Sequence, residues 1–289
     1  MVTWPWLSAR RRTTRGTDME KLLVFTDLHI VEDGRTIAGL DPFARLQATL
    51  EHALARHGDA RRIIVMGDLA HEGKRKQYAR LAALLQRVHL PVTLMLGNHD
   101  RRDRFLEAFP ETAVDGEGFV QSVTDLDRHR IITLDTLEGP PWRRDAHGGV
   151  LGEARIAFLR QALETSDDRL PLVFTHHPAA KVGIGTVDEI RLADGREVLD
   201  LLAAHPGAHL FSGHVHRTIS GSARGVPFTI FKSTCHQLAL GLGAEDTGTF
   251  TDAPGGYGVI VLRKTGVTAH FEDVGRKVKE FDSDAASPT

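Results

Sequence analysis

Short apolar runs and longer amphipathic stretches alternate along the first hundred residues. KLLVFT (21–26), RRIIVM (61–66) and PVTLML (91–96) have strand length and are rich in Val, Ile and Leu. Nearly continuous runs of this kind suit strands covered on both faces. Between the first two, DPFARLQATLEHALARHG (41–58) places Phe43, Leu46, Leu50 and Leu54 on one helical stripe. Asp41 is its expected N-cap, Pro42 its first helical residue and Gly58 its end. KRKQYARLAALLQRVHL (74–90) repeats the pattern with Tyr78, Leu81, Leu84, Leu85 and Val88. Strand, helix, strand, helix, strand predicts βαβ units with parallel pairing.

Further strands are predicted at 119–123, 130–135, 171–175 (PLVFT) and 208–212 (AHLFS), with helices near 153–165 and 195–204. Ile156, Leu159 and Leu163 line one side of the first of these helices. PFTIF (227–231), YGVIVL (257–262) and VTAHF (267–271) read as strands joined by turns, which predicts antiparallel pairing. GPPWRRDAHGG (139–149) is a Gly/Pro-rich connection. GLGAEDTGTFTDAPGG (241–256) is a long polar loop, expected to cap a pocket or to serve oligomerisation. Residues 1–19 carry arginines with no apolar stretch behind them, so they read as a flexible leader and not a secretory signal. Residues 275–289 read as a polar tail. With no repeat and no linker between, 20–274 is expected to be one domain.

Composition narrows the setting. The chain has 289 residues, enough to bury a sizeable core. Hydrophobic content of 41% and charged content of 26% are those of a soluble globular protein. A net charge of −2 argues against a broad nucleic-acid-binding face. A single cysteine excludes an internal disulfide framework and points to a reducing, cytoplasmic setting. No apolar run approaches the roughly 18 residues that cross a bilayer.

The chemistry collects where apolar runs end. VFTDLH carries Asp27 and His29, VMGDLAH carries Asp68, and LMLGNHD carries Asn98, His99 and Asp100. VFTHHP carries His176 and His177, and LFSGHVH carries His214 and His216. One histidine at a strand end is more often a satisfied structural residue than a ligand. Five strand ends with the same chemistry are another matter, because ligands of such sheets bind beyond the carboxyl ends of the strands. Imidazole and carboxylate without thiolate suit Zn, Mn, Fe or Co. Asp27, His29, Asp68, Asn98, His176, His214 and His216 are too many for one tetrahedral ion, but suit two ions that share a carboxylate. Two metals about 3.5–4 Å apart can hold a bridging hydroxide for in-line displacement at phosphorus.

D-x-H, G-D, G-N-H-D, H-H-P and G-H-x-H, in that order, resemble the calcineurin-like metallophosphoesterase superfamily. The resemblance runs from Asp27 to about Gln237, nearly three quarters of the chain. It implies an α/β fold, a four-layer α/β/β/α sandwich of mixed sheets flanked by helices. It also implies one ion at Asp27, His29 and His216, a second at Asn98, His176 and His214, and Asp68 bridging both. The family register favours His176 over His177 as ligand. His99 would face the substrate and protonate the departing alkoxide, with Asp100 orienting it.

GDLAHEG and GNHD depart from the G-D-x-x-D-R-G and G-N-H-E of protein serine/threonine phosphatases. Purple acid phosphatases carry a tyrosine where this chain has His71. VFTDLH, GNHD, HHP, SGHVHR and STCHQ (233–237) are similar to the bacterial cyclic-nucleotide (class III) and glycerophosphodiester phosphodiesterases. That likeness makes His236 a contact to phosphate or leaving group, alongside Asn98 and His99. Arg101 and Arg102, where a helix begins, read as solvated surface or an anion contact. The expected activity is hydrolysis of small phosphodiesters, glycerophosphodiesters or cyclic nucleotides, without a nucleic-acid polymer or a membrane as partner. A homo-oligomer is also expected. The rival readings are a monoesterase of the same fold and a non-catalytic metal-dependent binding scaffold. The scaffold would tolerate a lost GNHD histidine, and this chain keeps it.

Overall fold

Along β1 (Met19–Phe25) successive side chains leave for opposite faces. Leu22 and Val24 enter one buried cluster and Leu23 and Phe25 another. β2 (Arg62–Met66) divides in the same way, with Ile64 and Met66 on one side and Ile63 and Val65 on the other. That two-sided burial is why these strands show no polar alternation. A computed structural model describes residues 19–141, 147–243 and 246–275. The expected leader up to residue 18, the tail from 276 and residues 142–146 of the Gly/Pro-rich connection lie outside the described residues.

β1, β2 and β3 (Val92–Met95) pair in parallel, and the hairpin β12 (Gly256–Arg263)–β13 (Gly266–Asp273) adds antiparallel to β1. The first sheet thus runs β13-β12-β1-β2-β3. A second sheet runs β4-β5-β6-β7-β9-β8. Its strands are β4 (Ser122–Asp125), β5 (His129–Thr133), β6 (Leu170–Phe174), β7 (His209–Ser212), β8 (Ile219–Ala223) and β9 (Val226–Ile230). The sheets face one another across Leu22, Val24, Ile64 and Met66 on one side and Ile131, Leu172, Phe174 and Phe211 on the other.

Helices cover the outer faces. α1 (Pro42–His57) and α2 (Arg75–Leu85) lay Leu46, Leu50, Tyr78 and Leu81 on the first sheet. α4 (Gly152–Glu164) and α6 (Gly195–Ala203) lay Ile156, Leu159, Val198 and Leu202 on the second. The expected four layers are present. Asp41 caps α1 as its spacing predicts, accepting from the Phe43 and Ala44 amides at 3.0 and 3.1 Å. α3 (Arg102–Ala108) and α5 (Gly185–Asp188) are short.

Two expectations need correction. PFTIF does not join the C-terminal hairpin. As β9 it sits in the other sheet, parallel to β7 and antiparallel to β8, a strand whose ISGSA sequence carries too little apolar signal to be read. The 241–256 loop is not wholly irregular, since its β11 (Phe250–Thr251) pairs with β10 (Gln237–Leu238).

Candidate metal centre

β1, β2, β3, β6 and β7 all end at one edge of the sandwich, and the residues that follow them converge there. Asp27, His29, Asp68 and His216 bring ligating atoms within 4.8 Å of one another. His216 Nε2 lies 3.4 Å from Asp27 Oδ1, and His29 Nε2 lies 3.5 Å from Asp68 Oδ2. On the far side of Asp68, His176 Nε2 lies 3.5 Å from Oδ1 and 3.2 Å from Asn98 Oδ1. His214 closes that side, its ring 5.2 Å from His176. Asp68 therefore presents one oxygen to each half of the cluster.

The backbone bends sharply to achieve this. Asp27, His29, Asp68, His214 and His216 have φ between 48° and 68°, five of the eight non-glycine residues with positive φ among the described residues. Non-glycine residues rarely adopt that conformation, and strain of this kind clusters at functional sites. The glycines of the motifs admit close approach instead. A Cβ on Gly97 would land on the Asp68 carboxylate and the His176 ring, and one on Gly213 would strike Thr26 Oγ1.

Hydrogen bonds set the imidazole tautomers. His176 Nδ1 donates to the Met66 carbonyl at 2.8 Å, and His216 Nδ1 donates to the His236 carbonyl at 2.9 Å. A carbonyl only accepts, so Nδ1 carries a hydrogen in both rings and Nε2 is the nitrogen that faces the cluster. His177 is different. Its Nε2 donates to the His147 carbonyl and its Nδ1 meets Thr136 Oγ1 at 2.8 Å, leaving no lone pair to give. His214 Nε2 is shut off from solvent with no hydrogen-bond partner among the described residues, a costly state for a buried polar atom unless an ion takes it.

The electrostatics agree. Every ion pair of Asp27 and Asp68 among the described residues is with a histidine. Burial alone would raise both carboxyls, but the His216 imidazole beside Asp27, and His176 and His99 beside Asp68, hold them below the usual range. Burial would lower His176, yet the Asp68 and Asp27 carboxylates push it up to about 9. His214 is pushed down to about 3 by burial and by His176. Two buried carboxylates facing imidazole nitrogens form a donor set for hard or borderline cations. The residues present fit a metal centre.

The remaining sequence candidates lie around this cluster. His99 is half-buried, with its amide on Asp68 Oδ1 at 2.9 Å and its Nδ1 on the His71 carbonyl at 2.8 Å, so Nε2 is left available. Asp100 does not orient His99. Its carboxylate accepts the amides of Leu69, Ala70 and Gly97 and the Tyr78 hydroxyl, tying the second and third loops together. Burial and the neighbouring Asp68 push it up to about 6, against those backbone donors. His236 stands 4.4 Å from the His216 ring, its Nδ1 without a hydrogen-bond partner among the described residues. Arg102 is neither surface nor anion site, being buried on Asp135 through two hydrogen bonds of 2.7 and 3.0 Å. Arg101 pairs with Asp103.

Sequence reasoning missed Phe250. It is 53% exposed, at the site's edge, with ring contacts to His236 at 4.8 Å and His216 at 5.5 Å. A lone aromatic in a polar loop gives no periodic signal. Tyr78 shows in the sequence only as an apolar stripe position, and its hydroxyl also accepts the Arg101 amide at 2.7 Å.

Comparison with known proteins gives the family and the fold. The family described as calcineurin-like phosphoesterase matches residues 20–218. A Rhodopseudomonas palustris protein named as a probable cyclic nucleotide phosphodiesterase is 41% identical over 86% of this chain and 91% of its own. The Pseudomonas aeruginosa 3′,5′-cyclic adenosine monophosphate phosphodiesterase CpdA is 28% identical over 81% and 83%. A probable glycerophosphodiester phosphodiesterase from Arcobacter nitrofigilis is 28% identical over 74% and 78%. Among solved structures, a yellow lupin purple acid phosphatase has the same fold with a TM-score of 0.66 at 15% identity, over 88% of this chain and 51% of that one.

Proposed function

The chain belongs to the calcineurin-like phosphoesterase family, and on that premise we propose that it hydrolyses small phosphodiesters, cyclic nucleotides foremost, at a two-metal centre. The observation that carries the proposal is the convergence of Asp27, His29, Asp68, Asn98, His176, His214 and His216 around one carboxylate that offers an oxygen to each side. Asp27, His29 and His216 would hold one ion, Asn98, His176 and His214 the other, and Asp68 both. Iron, manganese, zinc and cobalt suit the donors. When bound, such ions neutralise phosphoryl oxygens and supply an activated water.

The chain's own residues do the rest. Thr26 Oγ1 and the His214 amide hold Asp27, and the His99 amide holds Asp68, so neither carboxylate must reorganise. His99 keeps its Nδ1 proton on the His71 carbonyl and delivers a proton from Nε2 to the alkoxide as the P–O bond breaks. His236 lies beside the His216 ring and is proposed to contact the phosphate or leaving group. Asp100 positions the loops without touching substrate.

Phe250 favours cyclic nucleotides over glycerophosphodiesters, because an exposed phenyl face beside the centre offers a base a stacking surface. It also supports the 241–256 segment as a cap. Residues 20–274 act as one catalytic unit, since the ligands come from both sheets.

The test is hydrolysis of 2′,3′- and 3′,5′-cyclic AMP, glycerophosphoethanolamine and p-nitrophenyl phosphate by chelator-stripped protein resupplied with Mn²⁺. Cyclic nucleotides are expected to turn over fastest, and Asp68→Ala is expected to lose activity and metal together. Preference for the monoester would overturn the diesterase reading. Faster turnover of glycerophosphoethanolamine would overturn only the choice of cyclic nucleotides.

A further inference from the structure

His176 and His216 each rest their Nδ1 proton on a backbone carbonyl, from Met66 and from His236. Among the described residues His29 has no such carbonyl. Its Nδ1 faces another ring nitrogen, His71 Nδ1, at 3.2 Å. Two ring nitrogens at that distance share one hydrogen. If His29 Nε2 is to keep a lone pair toward Asp27, Asp68 and His216, the hydrogen belongs to His29 Nδ1 and His71 accepts it.

His71 is built to hold that place. Its amide donates to the Ile30 carbonyl at 3.0 Å, tying it to the loop that carries His29. Its own carbonyl accepts His99 Nδ1 at 2.8 Å, and its ring stacks on His99 with centroids 5.2 Å apart and planes 16° apart. One residue thus joins the loops after β1, β2 and β3. His71 lies outside the group of ligating atoms formed by Asp27, His29, Asp68 and His216, and its ring nitrogens group instead with those of His29 and His99. His71 meets His29 at Nδ1, whereas His29 faces Asp68 and His216 through Nε2.

We propose that the His71 ring is a positioning residue for the metal centre. It accepts the His29 Nδ1 proton and so fixes the His29 tautomer and ring plane that present Nε2 to the ion on the Asp27 side. The inference rests on the two-metal reading above. A hydrogen-bond partner behind a metal-ligating imidazole sets its basicity and orientation, and losing one typically costs 10–100-fold in metal affinity.

The experiment compares His71→Ala and His71→Asn with the wild type, all stripped of metal. Each is titrated with Co²⁺, followed by the visible ligand-field spectrum, and metal content is measured after dialysis against graded chelator. His71→Ala is expected to bind one of two ions roughly 10–100-fold more weakly and to fall from two ions to one under mild chelation. The other ion should be unaffected. His71→Asn, whose amide oxygen can accept from His29 Nδ1, is expected to recover most of the lost affinity. Wild-type affinity at both ions in His71→Ala overturns the inference, as does equal weakening in the two variants, which would mark a packing role. A wild type that takes up no metal would instead sink the two-metal reading itself.

Discussion

The Asp68 carboxylate is 2% exposed, takes the His99 amide and lies 3.5 Å from two imidazoles. Such a group is tolerated in a protein interior only beside positive charge. The same contact fixes the backbone of His99, whose ring is held through Nδ1 by the His71 carbonyl. The held ring makes His99 testable by leaving group. A poor leaving alkoxide needs a proton as it departs and a nitrophenolate does not. His99→Ala should therefore lower kcat for 3′,5′-cyclic AMP by roughly 10²–10⁴-fold and for bis(p-nitrophenyl) phosphate far less. Equal losses on both substrates would remove its assignment as acid. At this scale the sequence was informative about residue type but silent about partners. His176 and His177 are adjacent letters, and only the Met66, His147 and Thr136 contacts separate a ring whose Nε2 faces the carboxylates from a satisfied neighbour.

Among the elements, the strands that deliver the site end in bends, while elsewhere they pack in ordinary register. β7 shows the difference. His209, at its start, stacks on Phe211 with centroids 4.3 Å apart and bonds Thr229 Oγ1 at 2.9 Å, far from the carboxylates. Burial pushes it down to about 4. Above the unfolded value of about 6.5 the ring is neutral in both states and costs nothing. As pH falls from about 6.5 to 4, the unfolded chain takes a proton that the native chain refuses, so stability falls by up to about 3 kcal/mol. His209→Gln should lose less thermal stability than the wild type between pH 7.5 and 4.5, both measured metal-free by scanning calorimetry. Parallel curves would refute the linkage. α3 teaches a related lesson. Its first residue, Arg102, reads as surface from sequence because a positive charge is misplaced at a helix start. Asp135, beyond β5, draws it inside.

Taken whole, the molecule is two sheets whose facing layer is apolar and whose common edge is polar. Asp27, His29, Asp68 and Asn98 follow strands of the first sheet; His176, His214 and His216 follow strands of the second. Bound ions would clamp the sheets together and stabilise the native state by about 2.7 kcal/mol at a hundredfold excess over Kd. At roughly 2 °C or more per kcal/mol for a chain of this size, EDTA should lower Tm by about 5 °C or more, and Mn²⁺ should restore it. An unchanged Tm would contradict an ion shared between sheets. The βαβ order, the capped α1 and the gathering of His, Asp and Asn side chains at five strand ends were legible in the letters. Periodicity, cap chemistry and donor chemistry are local properties, carried by residues within a few positions of one another. The pairing of β9 with β7, the burial of Arg102, the role of Asp100 as a loop tie and the place of Phe250 beside His236 were not legible. Each depends on segments far apart in sequence, and which of those meet is decided only when both sheets pack and every buried polar group must find a partner.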